Sequence, residues 1–366
     1  MEKGEHKILI ICGQELGLSP GQRFRFEQYL EFIKDNRIQY DISPLITQED
    51  IKTLYSKGVF LKKALIFIKS LKKRFKDLKR IKSGEYDAVF MFREALMIRS
   101  IYFEKKIKKT GVPIILDFDD SIWLMDVSDA NKKMAWLKNP AKTSKIIELS
   151  NLVITGNEYL QSYSKKINNN TIIIPTTIDT SLYKKTHAGK TDDDTVIIGW
   201  SGSITTLKHF KTALRILIKL KKKYRKKIKI EVIGDGNYAN RVLEIKGKWW
   251  KAETEVKDLS RFDIGIMPLP DDKWTWGKCG LKGLQYMALE IPTVMSPVGV
   301  NTEIIRDGVN GFLATTGEEW VEKLSLLIES PELREKLGKA GRQTVVEKYS
   351  LEANKQKWLD AFKSVL

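Results

Sequence analysis

Cysteine is scarce: Cys12 and Cys279 are the two in 366 residues. Two thiols build neither a disulfide framework nor a cysteine-rich zinc fold. Histidine is also rare, with His6, His187 and His209 the three, which argues against a histidine-rich metal site. No apolar run approaches the ~20 residues that cross a bilayer. The opening runs from Met1 to Lys7 and then into Ile8-Leu-Ile-Ile-Cys12. That apolar stretch is too short for the core of a secretory leader and reads as a first strand. A cytoplasmic protein is therefore expected. Acidic residues are in deficit, with 46 Asp+Glu against 64 Lys+Arg and a formal charge of +18. A surface that basic favours polyanions: nucleotide phosphates, nucleic acid or an anionic membrane face.

What is present is enough for a globular protein. Hydrophobic residues make up 42% and aromatic residues 10% of the chain, which is not a disorder composition. At ~150 residues per domain the length suggests two domains. Short apolar runs read as buried parallel strands: Ile8–Cys12, Tyr86–Phe92, Val112–Asp117, Asn151–Thr155 and Thr171–Pro175. Helical stretches lie between them, the first expected to run from the Leu18–Arg25 loop to Asp35. The polar segment 184–194 reads as a linker. The pattern then restarts with Val196–Trp200, Ile228–Ile233, Ile264–Met267, Thr293–Met295 and Gly311–Leu313 as strands, and with helices at His209–Tyr224 and Lys282–Leu289. The tail from Glu318 is helical, broken at Ser330-Pro331, with Gly341 as a candidate kink and Tyr349-Ser350 capping a last amphipathic helix. The expected class is α/β: two doubly wound, Rossmann-like domains over 1–183 and 195–348. A final helix over 349–366 is expected to cross back to the first domain. Ligands of such sheets lie beyond the carboxyl ends of the strands.

Two segments carry chemistry. In Gly277-Lys-Cys-Gly-Leu-Lys-Gly-Leu-Gln285 a glycine-rich turn opens a helix near Gly280. Free backbone N–H groups there suit an anion. Lys278, Lys282 and Gln285 recur at helical spacing and can crowd one end of it. The bland alternative is an amphipathic helix with solvated lysines. In Ile198-Gly-Trp-Ser-Gly-Ser-Ile-Thr-Thr-Leu-Lys208 a strand ends in small residues. Gly202 allows close approach to the backbone, and Lys208 can meet a phosphate as a point charge. Here the alternative is a plain strand–helix turn capped by hydroxyls.

These residues resemble the nucleotide-sugar domain of retaining family-four glycosyltransferases, which have the GT-B fold. Gly202 matches the family's turn glycine, Ser203 stands where an arginine is usual, and Lys208 matches its lysine. Gly234-Asp235-Gly236, Gly280-Leu281, Gly299, Glu303, Asp307-Gly308 and Asn310-Gly311-Phe312 match further motifs. The family's two donor-segment glutamates fall on Gly277 and Gln285. In the amino-terminal half, Ser19–Arg25, Leu116–Leu124, Asn157–Leu160 and Ile174–Asp179 are similar to one branch of the family. The resemblance omits roughly 40–83. It implies transfer of a sugar from a nucleoside-diphosphate sugar to an acceptor hydroxyl, with no metal and no further cofactor. Lys208 and Lys282, with the Gly280 and Leu281 amides, would hold the leaving diphosphate. Gly202, Ser203, Gly234, Lys278, Gln285 and Glu303 would complete the donor site, Gln285 toward the ribose. Asp119 falls where many relatives place a cleft histidine. Metal binding by Asp117, Asp119 and Asp120, or helix capping at Ser121, are the other readings of that loop. Arg23 and Arg25 either touch donor phosphate or acceptor or pair with Glu27 on the surface; for Arg23 the substrate contact is favoured, because Gly21 beside it lets the loop approach a ligand. An epimerase of similar fold and a non-catalytic nucleotide-sugar binder are the alternatives.

From Lys52 to Lys82 twelve Lys/Arg face one acid, Asp77. Leu61, Leu65, Ile68, Leu71, Phe75 and Leu78 keep a helical spacing. Such a basic amphipathic helix, spanning about 61–80, suits an anionic membrane surface, unless its apolar stripe simply packs on the sheet. No nucleic-acid-binding motif accompanies it. The expected partners are a nucleotide-sugar donor, a glycan or lipid-linked acceptor and an anionic membrane. The expected setting is cell-surface polysaccharide or glycolipid synthesis on the cytoplasmic face of an inner membrane.

Overall fold

A computed structural model describes residues 5–56, 58–125, 139–185 and 195–366, with Tyr55 described by its backbone alone. Residues 186–194 of the expected linker, His187 among them, lie outside the described residues, as does Lys57 of the basic segment. The chain divides into two compact units, Met1–Pro175 together with Lys355–Leu366, and Thr176–Asn354.

The first unit is built on β1 (His6–Gln14), β2 (Ile38–Ile46), β3 (Ala88–Phe92), β4 (Ile114–Phe118), β5 (Leu152–Thr155) and β6 (Thr171–Ile173). All pair in parallel, in the order β2-β1-β3-β4-β5-β6. Its helices are α1 (Pro20–Arg23), α2 (Leu30–Asp35), α3 (Gln48–Tyr55), α4 (Phe60–Lys82), α5 (Tyr102–Lys108), α6 (Lys142–Leu149) and α7 (Glu158–Lys165). The run Ile8–Cys12 has no exposed surface. Apolar on both sides, it can only be an inner strand.

The second unit contains β7 (Val196–Ser201), β8 (Ile228–Gly234), β9 (Lys248–Trp249), β10 (Ile264–Met267), β11 (Thr293–Met295) and β12 (Phe312–Leu313). These too are all parallel, ordered β9-β8-β7-β10-β11-β12. Around them lie α8 (Leu207–Thr212), α9 (Leu214–Tyr224), α10 (Glu255–Leu259), α11 (Lys273–Trp276), α12 (Leu281–Ala288), α13 (Asn301–Ile304), α14 (Gly317–Glu329) and α15 (Pro331–Thr344). Helix α16 (Leu351–Lys363) closes the chain, and from Lys355 on it belongs with the first unit. There Trp358 stacks beside Tyr29 and Phe90 at 5.3 and 6.0 Å between ring centroids.

The strands expected from apolar runs are all found, while β2 and β9 were not anticipated. The helix expected up to Asp35 is broken into α1, a 3₁₀ turn and α2. The one expected over His209–Tyr224 divides at Ala213. Gly341 lies inside α15. Its missing side chain lets the helix approach the Asn310 carbonyl, 3.1 Å from where a Cβ would stand. The break at Ser330-Pro331 is real, with the Ser330 hydroxyl accepting the Leu333 amide. Ser350 likewise accepts the Ala353 amide at the start of α16. Among the described residues no helix is long and apolar enough to cross a membrane.

Candidate functional site

In the second unit the predicted residues gather at the carboxyl ends of β7 and β8, where open parallel sheets hold their ligands. The Gly202 amide donates to the Ile233 carbonyl at 3.0 Å. Gly234 has φ +138°, and a Cβ on it would lie 1.7 Å from the Gly202 carbonyl oxygen. A Cβ on Gly202 would meet the Trp200 ring at 2.6 Å. Only glycine fits either place. Ser203 is exposed and forms a capping box with Thr206, so the hydroxyl-cap reading describes it.

Helix α12 is laid against the end of β7 by residues four apart. The Tyr286 hydroxyl accepts the Ser201 amide at 2.8 Å, and Lys282, one turn earlier, stands over the Trp200 ring at 5.7 Å. The helix starts at Gly280, whose φ of +70° is left-handed and which offers no side-chain cap. The backbone N–H groups of the first turn, Leu281 and Lys282 among them, point out of the helix start and carry its orphan-donor character. Such a terminus carries positive potential. Lys278 stands over Trp274 at 5.2 Å, and Lys208 is exposed on α8.

His209, which the sequence did not mark as functional, reports how close these lysines come. It is buried, and its Nδ1 has no hydrogen-bond partner. Burial and then the charges of Lys282, Lys278 and Lys208 push its pKa down to about 4, with Asp272 pulling the other way. Three ammonium groups from α8, the turn before α12 and α12 itself thus act on one imidazole. The local potential is therefore positive.

Gln285 is buried, and its Nε2 donates to the Tyr183 hydroxyl at 3.0 Å and to Glu255 at 3.1 Å. Glu255 also accepts from Tyr183 at 2.7 Å and from Trp250 Nε1 at 2.8 Å. No motif announced this network, because its members come from three separate stretches of sequence. Glu303 is exposed on α13, and its charge adds to burial in raising the Tyr349 hydroxyl to about 12.

In the first unit Gly21 and Asp119 are brought together. A Cβ on Gly21 would stand 2.9 Å from Asp119 Oδ2 and 3.2 Å from the Phe92 ring. Asp119 Oδ1 accepts from Arg93 at 2.6 and 3.0 Å, and the same guanidinium reaches Asp120 at 2.9 Å. Arg93 was missed in the sequence. It directly follows β3 with φ +68°, a strained conformation for a side chain of that size. After Ser121 residues 122 and 123 form a turn and 124 a bend, with the Leu124 amide donating to the Ser121 carbonyl at 2.8 Å. Asp117 stands apart from it. The buried Arg25 guanidinium pairs with Asp117 at 2.5 Å and also donates to the Ile174 carbonyl. Burial lifts the Asp117 carboxyl above its ordinary value against the pull of Arg25. Arg25 is thus a core residue, and Glu27 is held instead by Gly17 and Gln22. Arg23 lies over the Phe24 ring at 5.0 Å.

Comparison with known proteins points the same way. Residues 265–344, which run from β10 to the end of α15, match the family model of glycosyl transferases group 1. EpsD of Bacillus subtilis (strain 168), which carries the name of a glycosyltransferase, is 39% identical over 69 residues. The match spans 18% of this chain and 18% of that protein. In structure the chain is similar to a glycosyltransferase from Rickettsia africae ESF-5, with a TM-score of 0.70, 16% identity and 99% of both chains covered. It is also similar to sucrose-phosphate synthase of Thermosynechococcus elongatus, at 0.69, 13% identity and 99% of both chains. A third likeness is to Anabaena HepE in complex with UDP and glucose, at 0.65, 14% identity, 98% of this chain and 100% of the other. The fold is GT-B, two parallel-sheet α/β units in tandem.

Proposed function

We propose that this protein is a glycosyltransferase that moves a sugar from a nucleoside-diphosphate sugar to an acceptor hydroxyl. The observation that carries the reading is the combined charge of Lys208, Lys278 and Lys282 felt at His209, beside the glycine-led start of α12. Departure of a nucleoside diphosphate leaves charge on its phosphates. Ammonium groups and aligned amides already in place stabilise that charge without reorganising. In this reading the lysines replace a metal ion, and the anomeric configuration is retained. Asp119, pinned by Arg93, orients the sugar or the acceptor. Gln285 has committed its nitrogen to Tyr183 and Glu255, so its carbonyl oxygen is what it can offer a ribose hydroxyl. The complexes of HepE with UDP-glucose and of Staphylococcus aureus TarM with UDP make uridine nucleotides the first donors to try. Growing polysaccharide or glycolipid on an anionic membrane is the acceptor setting.

The test is turnover. The chain is incubated with UDP-, GDP- and ADP-sugars and with lipid and glycan acceptors, and released nucleotide and glycosylated product are measured. Acceptor-dependent release that falls at least tenfold in Lys208→Ala supports the reading. Isomerisation of the donor without acceptor, or saturable binding with no turnover on any acceptor, would replace it with an epimerase or a binding protein.

A further inference from the structure

Helix α4 has two unlike halves. From Ser70 onward one face is built into the first unit: Ser70, Arg74, Asp77, Leu78 and Ile81 are buried. Arg74 donates to the carbonyls of Ala95, Ser43 and Cys12 and pairs with Asp77 at 2.8 Å. This is the helix's mount. Before Ser70 no residue of α4 is buried.

The opposite face is apolar, uncovered from Leu61 to Ile68 and half-covered at Phe75, which packs edge-on against the buried Phe103 at 5.1 Å. Leu61 is 80%, Leu65 64%, Ile68 46% and Phe75 50% exposed. At 3.6 residues per turn these four, with Lys72 and Lys79, fall within roughly a quarter of the circumference, directly away from Ser70 and Ile81. Phe60, 78% exposed, extends the apolar surface at the start of the helix. Phe75 meets Tyr102 edge-on at 6.1 Å, and Lys106 stands over that ring at 5.4 Å. The expectation that the stripe packs on the sheet thus holds for Leu78 and fails for Leu61, Leu65 and Ile68.

Charge separates in the same way. The helix has one acid, Asp77, and it lies in the mount, neutralising Arg74. Arg80 pairs with Asp41 and Glu85, and Lys69 approaches Asp50 at 3.6 Å. Lys62, Lys72, Lys76, Lys79 and Lys82 are exposed beside the apolar row, with no acid of the helix among them.

We propose that this outer face of α4 docks the protein on an anionic phospholipid bilayer, lying in the plane of the headgroups. Leu61, Leu65, Ile68 and Phe75 enter the acyl boundary, while the flanking lysines meet lipid phosphates. Alternation of large aliphatic side chains with lysines is what an interfacial helix requires. A nucleic acid would use the lysines and leave the leucines in water. The partner deepens the membrane setting named above, but the surface stands independently of the donor chemistry, since vesicle binding and nucleotide binding are separate measurements.

The test is co-sedimentation of the full chain with vesicles of phosphatidylcholine containing one quarter phosphatidylglycerol, against phosphatidylcholine alone. Binding to the anionic vesicles at least tenfold tighter, and weakened by salt, is expected. Lys72→Gln with Lys76→Gln should lower it roughly 25-fold, about fivefold per lysine. Leu61→Ser with Leu65→Ser should lower it at least tenfold with the melting temperature unchanged. Failure of the wild type to bind anionic vesicles would overturn the proposal. So would undiminished binding by the Leu61/Leu65 variant, a drop in its melting temperature that showed the row to be packed, or tighter binding to a nucleic-acid oligomer than to vesicles.

Discussion

Gly234 and Gly202 meet backbone to backbone, so closely that a methyl group on Gly234 would overlap the Gly202 carbonyl. Two loops that follow different strands are thereby locked together beside Trp200, whose ring Lys282 overlies. Gly234→Ala is expected to cost more than ~2 kcal/mol, because it meets both a left-handed φ and rigid backbone. Gly84→Ala shares the positive φ but has open space around it, and should cost about 1 kcal/mol. Urea denaturation of the two variants makes the comparison.

The three lysines act together, so their removal should be read as a series. Lys208→Gln, Lys278→Gln and Lys282→Gln should each weaken nucleotide-sugar binding about tenfold or more, the usual loss for one charge-assisted contact. Each should also flatten the salt dependence of binding. Calorimetric titration at two salt concentrations measures both effects.

His209 gives the protein a pH signature. Its folded pKa of about 4 lies below the ordinary 6.5, so between these values the unfolded chain binds a proton that the folded chain refuses. Stability from this group is complete above pH 6.5 and is lost as pH falls toward 4, by roughly 1 to 3 kcal/mol. Carboxylates titrate in part of this range, so the difference between wild type and His209→Phe isolates the imidazole. The variant should show the shallower decline in denaturation free energy from pH 6.5 to 4.5.

The elements that could be read from the sequence are those with one dominant physical demand. Ile8–Cys12 is apolar on both faces and has no other place than an inner strand. Edge strand β2 escaped because Ile38-Gln-Tyr-Asp-Ile-Ser-Pro-Leu-Ile46 mixes polar residues and a proline with its apolar ones. An edge tolerates these and a central strand does not. Lys208, Lys278 and Lys282 were visible because the glycine turns around them are local. The network of Gln285, Tyr183 and Glu255, and the pairing of Arg93 with Asp119, were not. Such pairings are created by strand order, which no local spacing encodes. Arg25 was misread for the same reason: a loop arginine looks like a ligand contact until β4 brings Asp117 to it.

Arg25 and Arg93 should therefore separate stability from activity. Arg25→Ala strands Asp117 in the core and is expected to cost about 3 to 5 kcal/mol. Asp119→Asn, in a pair that Arg93 leaves partly open to solvent, should change stability by less than ~1 kcal/mol while lowering turnover at least tenfold. Thermal melts and nucleotide-release rates on both variants decide the matter. Loss of stability in Asp119→Asn equal to that in Arg25→Ala would make Asp119 a structural residue.

Calorimetric titration of UDP-glucose, GDP-mannose and ADP-glucose into the wild-type chain and into the variant with Lys208, Lys278 and Lys282 all changed to glutamine is the most direct test of the proposed donor site. One of the three ligands should bind the wild type saturably at one site, and the folded triple variant should bind it at least a hundredfold more weakly. Saturable binding of none of them, or equal binding by the triple variant, would contradict the account.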